Sequence, residues 1–213
     1  MLLGGGCTGP SPELPAVDQA VSPTAGAPSG TAASPTPSPV EIRRVFPVVG
    51  EASYAQGHHG YPGSDIMAAC GSAYVAPAPG VILEVNRVDK HDPAVNAGAF
   101  RGGLSVSLLG DDGVRYYGSH FQAIEDVIVP GARVNAGDPV ATVGRSGDAS
   151  ACHVHFGLSP QCLGTGDWWI RRGAIWPWPY LDSWRSGGNA DPRAEIEQWQ
   201  ATNGCPDHPL VEP

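Results

Sequence analysis

Five histidines in three short segments have the residue types and spacing for metal or proton-transfer chemistry. The first segment is Cys152-His153-Val154-His155-Phe156-Gly157. On a β-strand, successive side chains alternate faces, so His153 and His155 share one face while Val154 and Phe156 turn to the core. The two imidazoles then stand about 6–7 Å apart along the strand, close enough for one to bind a metal and the other to stand over a metal-bound water. The second segment is Gly57-His58-His59-Gly60-Tyr61-Pro62-Gly63-Ser64-Asp65-Ile66, where imidazole and carboxylate meet across a Gly- and Pro-rich loop; both groups are good zinc ligands. The third is Tyr116-Tyr117-Gly118-Ser119-His120-Phe121. A regular strand here puts Tyr116, Gly118 and His120 on one face, with open space beside the histidine. Each segment alone also fits a surface or structural histidine.

The elements that must hold these groups read as strands. Ala73-Tyr74-Val75 and Val81 to Val85 flank a Pro-Ala-Pro-Gly turn, and Leu104 to Leu108 alternates serine with apolar residues, the pattern of a half-exposed strand. Gly110-Asp111-Asp112-Gly113 is a hairpin loop, with Val114 to Phe121 returning from it. Pro139 to Val143 and His153 to Leu158 complete the set. Only Arg193 to Gln200 looks helical, with Asp191 suited to the cap and Pro192 to the first turn. Short strands with dense turn signals predict an all-β fold, an antiparallel sandwich or barrel with a short C-terminal helix. Residues 8–40 are rich in Pro, Ser, Ala, Thr and Gly and predict a disordered linker. The folded domain is expected over 41–187, with 188–213 as an extension.

Composition narrows the function. The 213 residues include 29 glycines and 22 prolines, and the formal net charge is −9. The cations, Lys90 and scattered arginines, form no long basic run, which argues against nucleic acid as a partner. The five cysteines are Cys7, Cys70, Cys152, Cys162 and Cys205, and none forms a CxxC pair. Excluding Cys7, four cysteines allow three pairings in an exported protein. Cys152 and Cys162 flank the last histidine strand, so the expectation is a bridge between them, with Cys70 pairing Cys205. The tryptophans between Trp168 and Trp184 are read mainly as cover for a sheet face, with a binding groove as the alternative.

Together, the His…Asp, Tyr-x-x-x-His and His-x-His segments resemble the lysostaphin-like (LytM-type) zinc metallopeptidases. Ala76-Pro77-Ala78-Pro79-Gly80-Val81-Ile82 and the run from Val134 to Gly147 are similar to that family's turn-and-strand motifs. The resemblance spans roughly Val45 to Pro160. It implies an antiparallel β core of the duplicated hybrid motif type and one zinc ion held by His58, Asp65 and His155. It further implies that His120 and His153 assist catalysis, with peptidoglycan as the substrate and peptide-bond hydrolysis as the reaction. The first motif departs from the family's His-x-Gly-x-Asp, because three extra residues separate Tyr61 from Asp65. His59 is therefore an alternative to His58 as ligand.

Three ligands leave a zinc position for water, and without a His-Glu-x-x-His helix some other group must move the proton, a task histidine can perform. His153 is the expected base and His120 its partner, aiding the oxyanion or the leaving amine. Tyr116 or Tyr117 as an oxyanion donor is the less favoured reading beside core or rim packing. The rival reading is a non-catalytic cell-wall binding or regulatory lipoprotein of the same fold, and a more distant one is a β domain with purely structural zinc. Met1 to Cys7 resembles the end of a lipoprotein signal, with Cys7 as the lipid-bearing residue. The expectation is an exported monomer in the cell envelope, anchored at the outer face of the cytoplasmic membrane and touching the bilayer only through that lipid.

Overall fold

The computed structural model describes Gly9, residues 41–164 and residues 166–210. The proposed lipid-bearing Cys7 and most of the expected linker lie outside the described residues. Residues 41–210 belong to one compact unit. Among the described residues, no helix is long and apolar enough to cross a membrane.

Among the described residues, ten strands form two antiparallel sheets, as expected for an all-β chain. The larger has seven strands in the order β1 (Ala52–Ser53), β2 (Ser64–Ala68), β10 (His153–Pro160), β6 (Val114–Ser119), β5 (Ser105–Gly110), β4 (Gly80–Asn86) and β8 (Arg133–Val134). The smaller has β3 (Ala73–Val75), β9 (Pro139–Val143) and β7 (Phe121–Ile124). Ile66, Ile82, Phe121, Val143, Val154, Phe156 and Leu158 are all 1% exposed or less and belong to one apolar cluster. Burying side chains of this size is the main favourable term for folding.

Among the described residues, three α-helices follow the last strand: α1 (Trp168–Arg171), α2 (Trp178–Arg185) and α3 (Arg193–Asn203). Only the last was expected; its N-cap is Pro192 rather than Asp191, and Asp191, one residue earlier, accepts from the Arg193 backbone N–H at 3.0 Å. The other two open on Trp-Trp and Trp-Pro, where aromatic and proline content masks helical periodicity. Leu181 and Trp184 of α2 join the core, with Trp184 near Tyr116 and Phe156. The tryptophans thus divide between roles, since Trp168 lines a cleft instead. Ile196 of α3 is buried in the same core, and the Arg44 guanidinium joins Asp112 and Asp191 at 2.8 Å each, tying the C-terminal segment to the sheet.

Three expectations are corrected. Ser105 and Ser107 are 4% and 1% exposed, so β5 is covered on both faces rather than half-exposed. The strand expected to reach Phe121 ends at Ser119. His120 takes a left-handed φ of 65°, and Phe121 starts a strand in the smaller sheet. The disulfides are Cys70–Cys152 and Cys162–Cys205. An extended strand of eight residues separates Cys152 from Cys162, about 26 Å of chain, far beyond the roughly 4.4–6.8 Å Cα span of a disulfide. Met67 opposite His153 in the ladder brings Cys70 beside Cys152 instead.

The wall formed by α1 hangs on one ion pair. Arg115 on β6 and Asp167 before α1 are both fully buried, and two guanidinium N–H groups donate to the carboxylate at 2.6 and 3.0 Å. Removing one partner strands the other charge. Asp167→Ala is therefore expected to lower unfolding free energy by about 3–5 kcal/mol, read by urea denaturation; a loss below about 1 kcal/mol, the range of an exposed pair, contradicts it.

Candidate metal centre

Two neighbouring strands and the loops at their ends build the site. In β10, Val154 and Phe156 are fully buried while His153 and His155 share the opposite face, as alternation predicts. Asp65 on β2 lies directly opposite His155 in the antiparallel ladder, so the two side chains are cross-strand neighbours. The loop before β2 brings in His58. Among the described residues, His58, Asp65 and His155 are the group whose ligand atoms all lie within 4.8 Å of one another. His155 Nδ1 is 2.9 Å and His58 Nε2 is 3.5 Å from Asp65 Oδ1. Ligands at about 2.0–2.1 Å from a tetrahedral zinc stand roughly 3.3–3.4 Å apart, so the donor set fits such an ion with little movement. His59 is exposed and outside this group.

Each site histidine has one ring nitrogen against a backbone carbonyl. A carbonyl can only accept, so that nitrogen must carry the proton, and in a neutral ring the other keeps its lone pair. His155 Nε2–H donates to Arg172 O at 2.7 Å, freeing Nδ1 towards Asp65. His58 Nδ1–H donates to His59 O at 3.0 Å, freeing Nε2. His120 and His153 use Nδ1–H in the same way, to Ser146 O at 2.7 Å and Ala151 O at 2.9 Å. This is the outer-shell bonding that orients metal-binding imidazoles. Two glycines permit it by close approach. A Cβ on Gly63 would lie 2.7 Å from His155 Cε1, and one on Gly157 would lie 2.5 Å from the Arg172 carbonyl oxygen.

His120 reaches the cleft by a route that strand alternation does not provide. Gly118 faces Tyr74 and Phe121 in the core, so it opens no space beside the histidine. The left-handed backbone at His120 turns its ring to stack near His153, with centroids 4.5 Å apart. Tyr117 and His120 line the same cleft of about 490 Å³ with the three candidate ligands. Tyr116 lies in the core, its hydroxyl donating to Asp112 at 2.6 Å, which rules it out as an oxyanion donor. Arg101, Trp168, Arg171 and Arg172 also line the cleft. Sequence reading passed over these arginines, since none stands in a histidine motif.

Burial would raise the Asp65 carboxyl, but hydrogen bonds and charge from His155 and His58 outweigh it and hold the group far below the usual carboxylate range. That negative focus can take a proton or a metal cation. Burial lowers His120 from 6.5 to about 4, against the Ser146 carbonyl, which favours its charged form.

Fold and site thus define a two-sheet antiparallel β protein with a candidate mononuclear His-Asp-His metal centre and two spare imidazoles. The chain belongs to peptidase family M23, whose family model matches residues 59–164. It is similar in fold to the antimicrobial peptidase lysostaphin from Staphylococcus simulans, at 21% identity over 70% of this chain and 58% of that one, with a TM-score of 0.51. The catalytic domain of lysostaphin from the same organism is 22% identical over 61% of this chain and 93% of that domain, with a TM-score of 0.47. A zinc-containing peptidase from Vibrio cholerae is 16% identical over 62% of this chain and 38% of that one, with a TM-score of 0.40. This chain therefore spans less than two thirds of those lysostaphin and Vibrio chains. No curated protein matches the chain.

The His120 shift has a sign that can be tested on metal-free protein. The folded state binds fewer protons than the unfolded chain between pH 4 and 6.5. Stability is then fully present above about pH 6.5 and falls as the pH drops towards 4, by about 3 kcal/mol at 1.36 kcal/mol per pKa unit. The depressed Asp65 acts below that window, where its carboxylate first protonates in the unfolded chain. Urea titrations from pH 4.5 to 7.5 should show the slope, and His120→Gln should flatten it.

Proposed function

We propose that this chain is an exported zinc endopeptidase that hydrolyses peptide bonds in bacterial peptidoglycan stems or cross-links. The observation that carries the reading is the convergence of His58 Nε2, Asp65 Oδ1 and His155 Nδ1, each imidazole fixed by a carbonyl behind it, in a chain of family M23. These three residues would hold the zinc, with His58 favoured over His59. When bound, zinc supplies an acidified water and a polarised scissile carbonyl.

The remaining work falls to the two spare histidines. Hydrolysis needs a group to take a proton from water and return one to the leaving amine. His153, its Nδ1–H committed to Ala151 O, has the Nε2 lone pair for the first task. His120 is held neutral by burial and its Nδ1–H is committed to Ser146 O. In that state Nε2 accepts and does not donate. His120 therefore helps the leaving amine only after receiving a proton, which makes it a relay beside His153. Two disulfides support export, because such bonds persist in oxidising compartments. Attachment through Cys7, a location at the outer face of the cytoplasmic membrane and a monomeric state complete the proposal.

The test is metal analysis combined with mass spectrometry of digested cell wall. The parent should bind about one zinc per chain and release wall peptides, with release stopped by a chelator. Asp65→Ala and His155→Ala should lose both zinc and cleavage, and His58→Ala should lose far more zinc than His59→Ala. His153→Ala should keep its zinc while kcat drops by about 10²–10⁴-fold, the usual range for a general base. Variants of Asp65 or His155 that cut wall as well as the parent overturn the reading. Zinc binding without cleavage of wall or cross-linked peptides transfers support to a non-catalytic wall-binding protein.

A further inference from the structure

The carbonyls behind the two spare histidines are braced in different ways. Ser146, which accepts from His120 Nδ1–H, sits in a turn stitched by hydrogen bonds. There the Leu104 N–H reaches the Ser146 hydroxyl at 2.9 Å, the Gly147 N–H reaches Asp89 at 2.8 Å and the Asp148 N–H reaches Arg101 O at 2.8 Å. Ala151, which accepts from His153 Nδ1–H at 2.9 Å, lies in an exposed bend between that turn and β10. Its brace is covalent. The next residue, Cys152, is joined to Cys70 in the turn after β2. Cys152 is half-buried, while Cys70 is exposed.

The strands themselves have other ties. β10 pairs with β2 from His153 to Phe156 and with β6 from His155 to Pro160, and the His153 N–H donates to Gly144 O at 3.1 Å. Asp65 and His155 are therefore held by the ladder, whereas the acceptor behind His153 lies beyond its end. Once that acceptor moves, the neutral His153 ring can carry its proton on either nitrogen. Its Nε2 lone pair then faces the cleft only part of the time.

We propose that the Cys70–Cys152 disulfide is a redox switch on the endopeptidase. Oxidised, it holds the Ala151 carbonyl where it fixes His153 as a base; reduced, it frees that carbonyl and leaves the metal ligands in place. This deepens the peptidase reading and rests on it. The reductant is a dithiol. Its thiolate attacks the exposed Cys70 Sγ, the bond to Cys152 Sγ breaks, and Cys152 leaves as a thiolate that takes up the proton. The second thiol of the reductant then attacks the mixed disulfide, passing its proton to the departing Cys70 thiolate. The reductant ends as a disulfide and the protein as a dithiol. A compartment that keeps thiols reduced holds the base unfixed, and an oxidising one closes the bridge.

The test compares three forms of the full chain with excess zinc on a cross-linked wall peptide: the oxidised parent, the parent reduced with a water-soluble phosphine, and Cys70→Ala/Cys152→Ala. Opening the bridge should lower kcat about 10²-fold, the scale of a misplaced catalytic group, with zinc content and circular dichroism unchanged. Reoxidation of the parent should restore it. NMR of the His153 ring nitrogens should show Nδ1–H in the oxidised chain and a mixture of tautomers in the open one, in metal-free and zinc-loaded protein alike. Cys162→Ala/Cys205→Ala, which lacks the other bridge, should keep the parental kcat. Unchanged kcat in the open chain, loss of zinc together with kcat, or an equal loss in Cys162→Ala/Cys205→Ala overturns the switch and leaves the peptidase reading intact. If Cys70→Ala/Cys152→Ala misfolds, the phosphine-reduced parent decides, and loss of its circular dichroism along with kcat also overturns the switch. An oxidised, zinc-loaded parent that cuts neither peptide nor wall defeats the peptidase reading, and the switch with it.

Discussion

Four backbone carbonyls govern what the histidines of this cleft can do. Those of His59, Ser146, Ala151 and Arg172 each accept one imidazole N–H. Without them, each neutral ring could present either nitrogen, and a lone pair would face the cleft only part of the time. With them, His58 Nε2 and His155 Nδ1 are the ring atoms turned towards the Asp65 carboxylate. None of the four carbonyl residues lies within a strand. They belong to the loop before β2, the turn after β9, the approach to β10 and the end of α1. The chemistry therefore depends on irregular backbone held as firmly as a sheet.

That firmness comes from local bracing. Ala151 adjoins Cys152, whose disulfide to Cys70 clips the approach to β10 onto the end of β2. Near Ser146, the Leu104 N–H donates to its hydroxyl at 2.9 Å, and the Gly147 N–H donates to Asp89 at 2.8 Å. Arg172 is fixed from both sides: its own N–H reaches Trp168 O, and the Ala174 N–H reaches Leu158 O at 2.8 Å on β10. The buried Arg115–Asp167 pair anchors the whole α1 turn to β6. Distant parts of the sequence thus converge on the hydrogen-bond acceptors behind the rings as well as on the rings themselves.

This explains why the site was only partly legible. The period-two alternation of β10 is local, so the shared face of His153 and His155 was visible in six residues. The cross-strand partnership with Asp65 was accessible through the family-like order of motifs. His120 was recognised for its motif but assigned the wrong geometry, because a single left-handed residue ends the alternation and nothing in Tyr-Gly-Ser-His-Phe announces it. The disulfides were recoverable from the strand assignment itself, since residues at opposite ends of an extended segment cannot bridge. The serines of β5 looked like a solvent face because periodicity reports polarity, and the cover over them comes from segments far away in the chain. The carbonyls were invisible, because a backbone acceptor carries no side-chain signature.

The longer first motif illustrates how geometry absorbs a sequence irregularity. The family match starts at His59, one residue after His58, and the extra residues Pro62, Gly63 and Ser64 could displace Asp65 from its partner. They do not, because the ladder fixes the register at the far end: Ser64 already pairs with Phe156 and Asp65 with His155. The surplus chain is taken up before the strand, where Gly63 packs against the edge of the His155 ring. A side chain at residue 63 would push into that ring, so the loop works as a floor beneath the ligand rather than a slack tether. The loop then turns back with Tyr61 between His58 and Arg172, its ring 4.5 Å from the His58 ring. His58 is packed by this arrangement while His59 is left at the surface. That packing is what favours His58 over His59 as the proposed ligand, although the two side chains have identical chemistry.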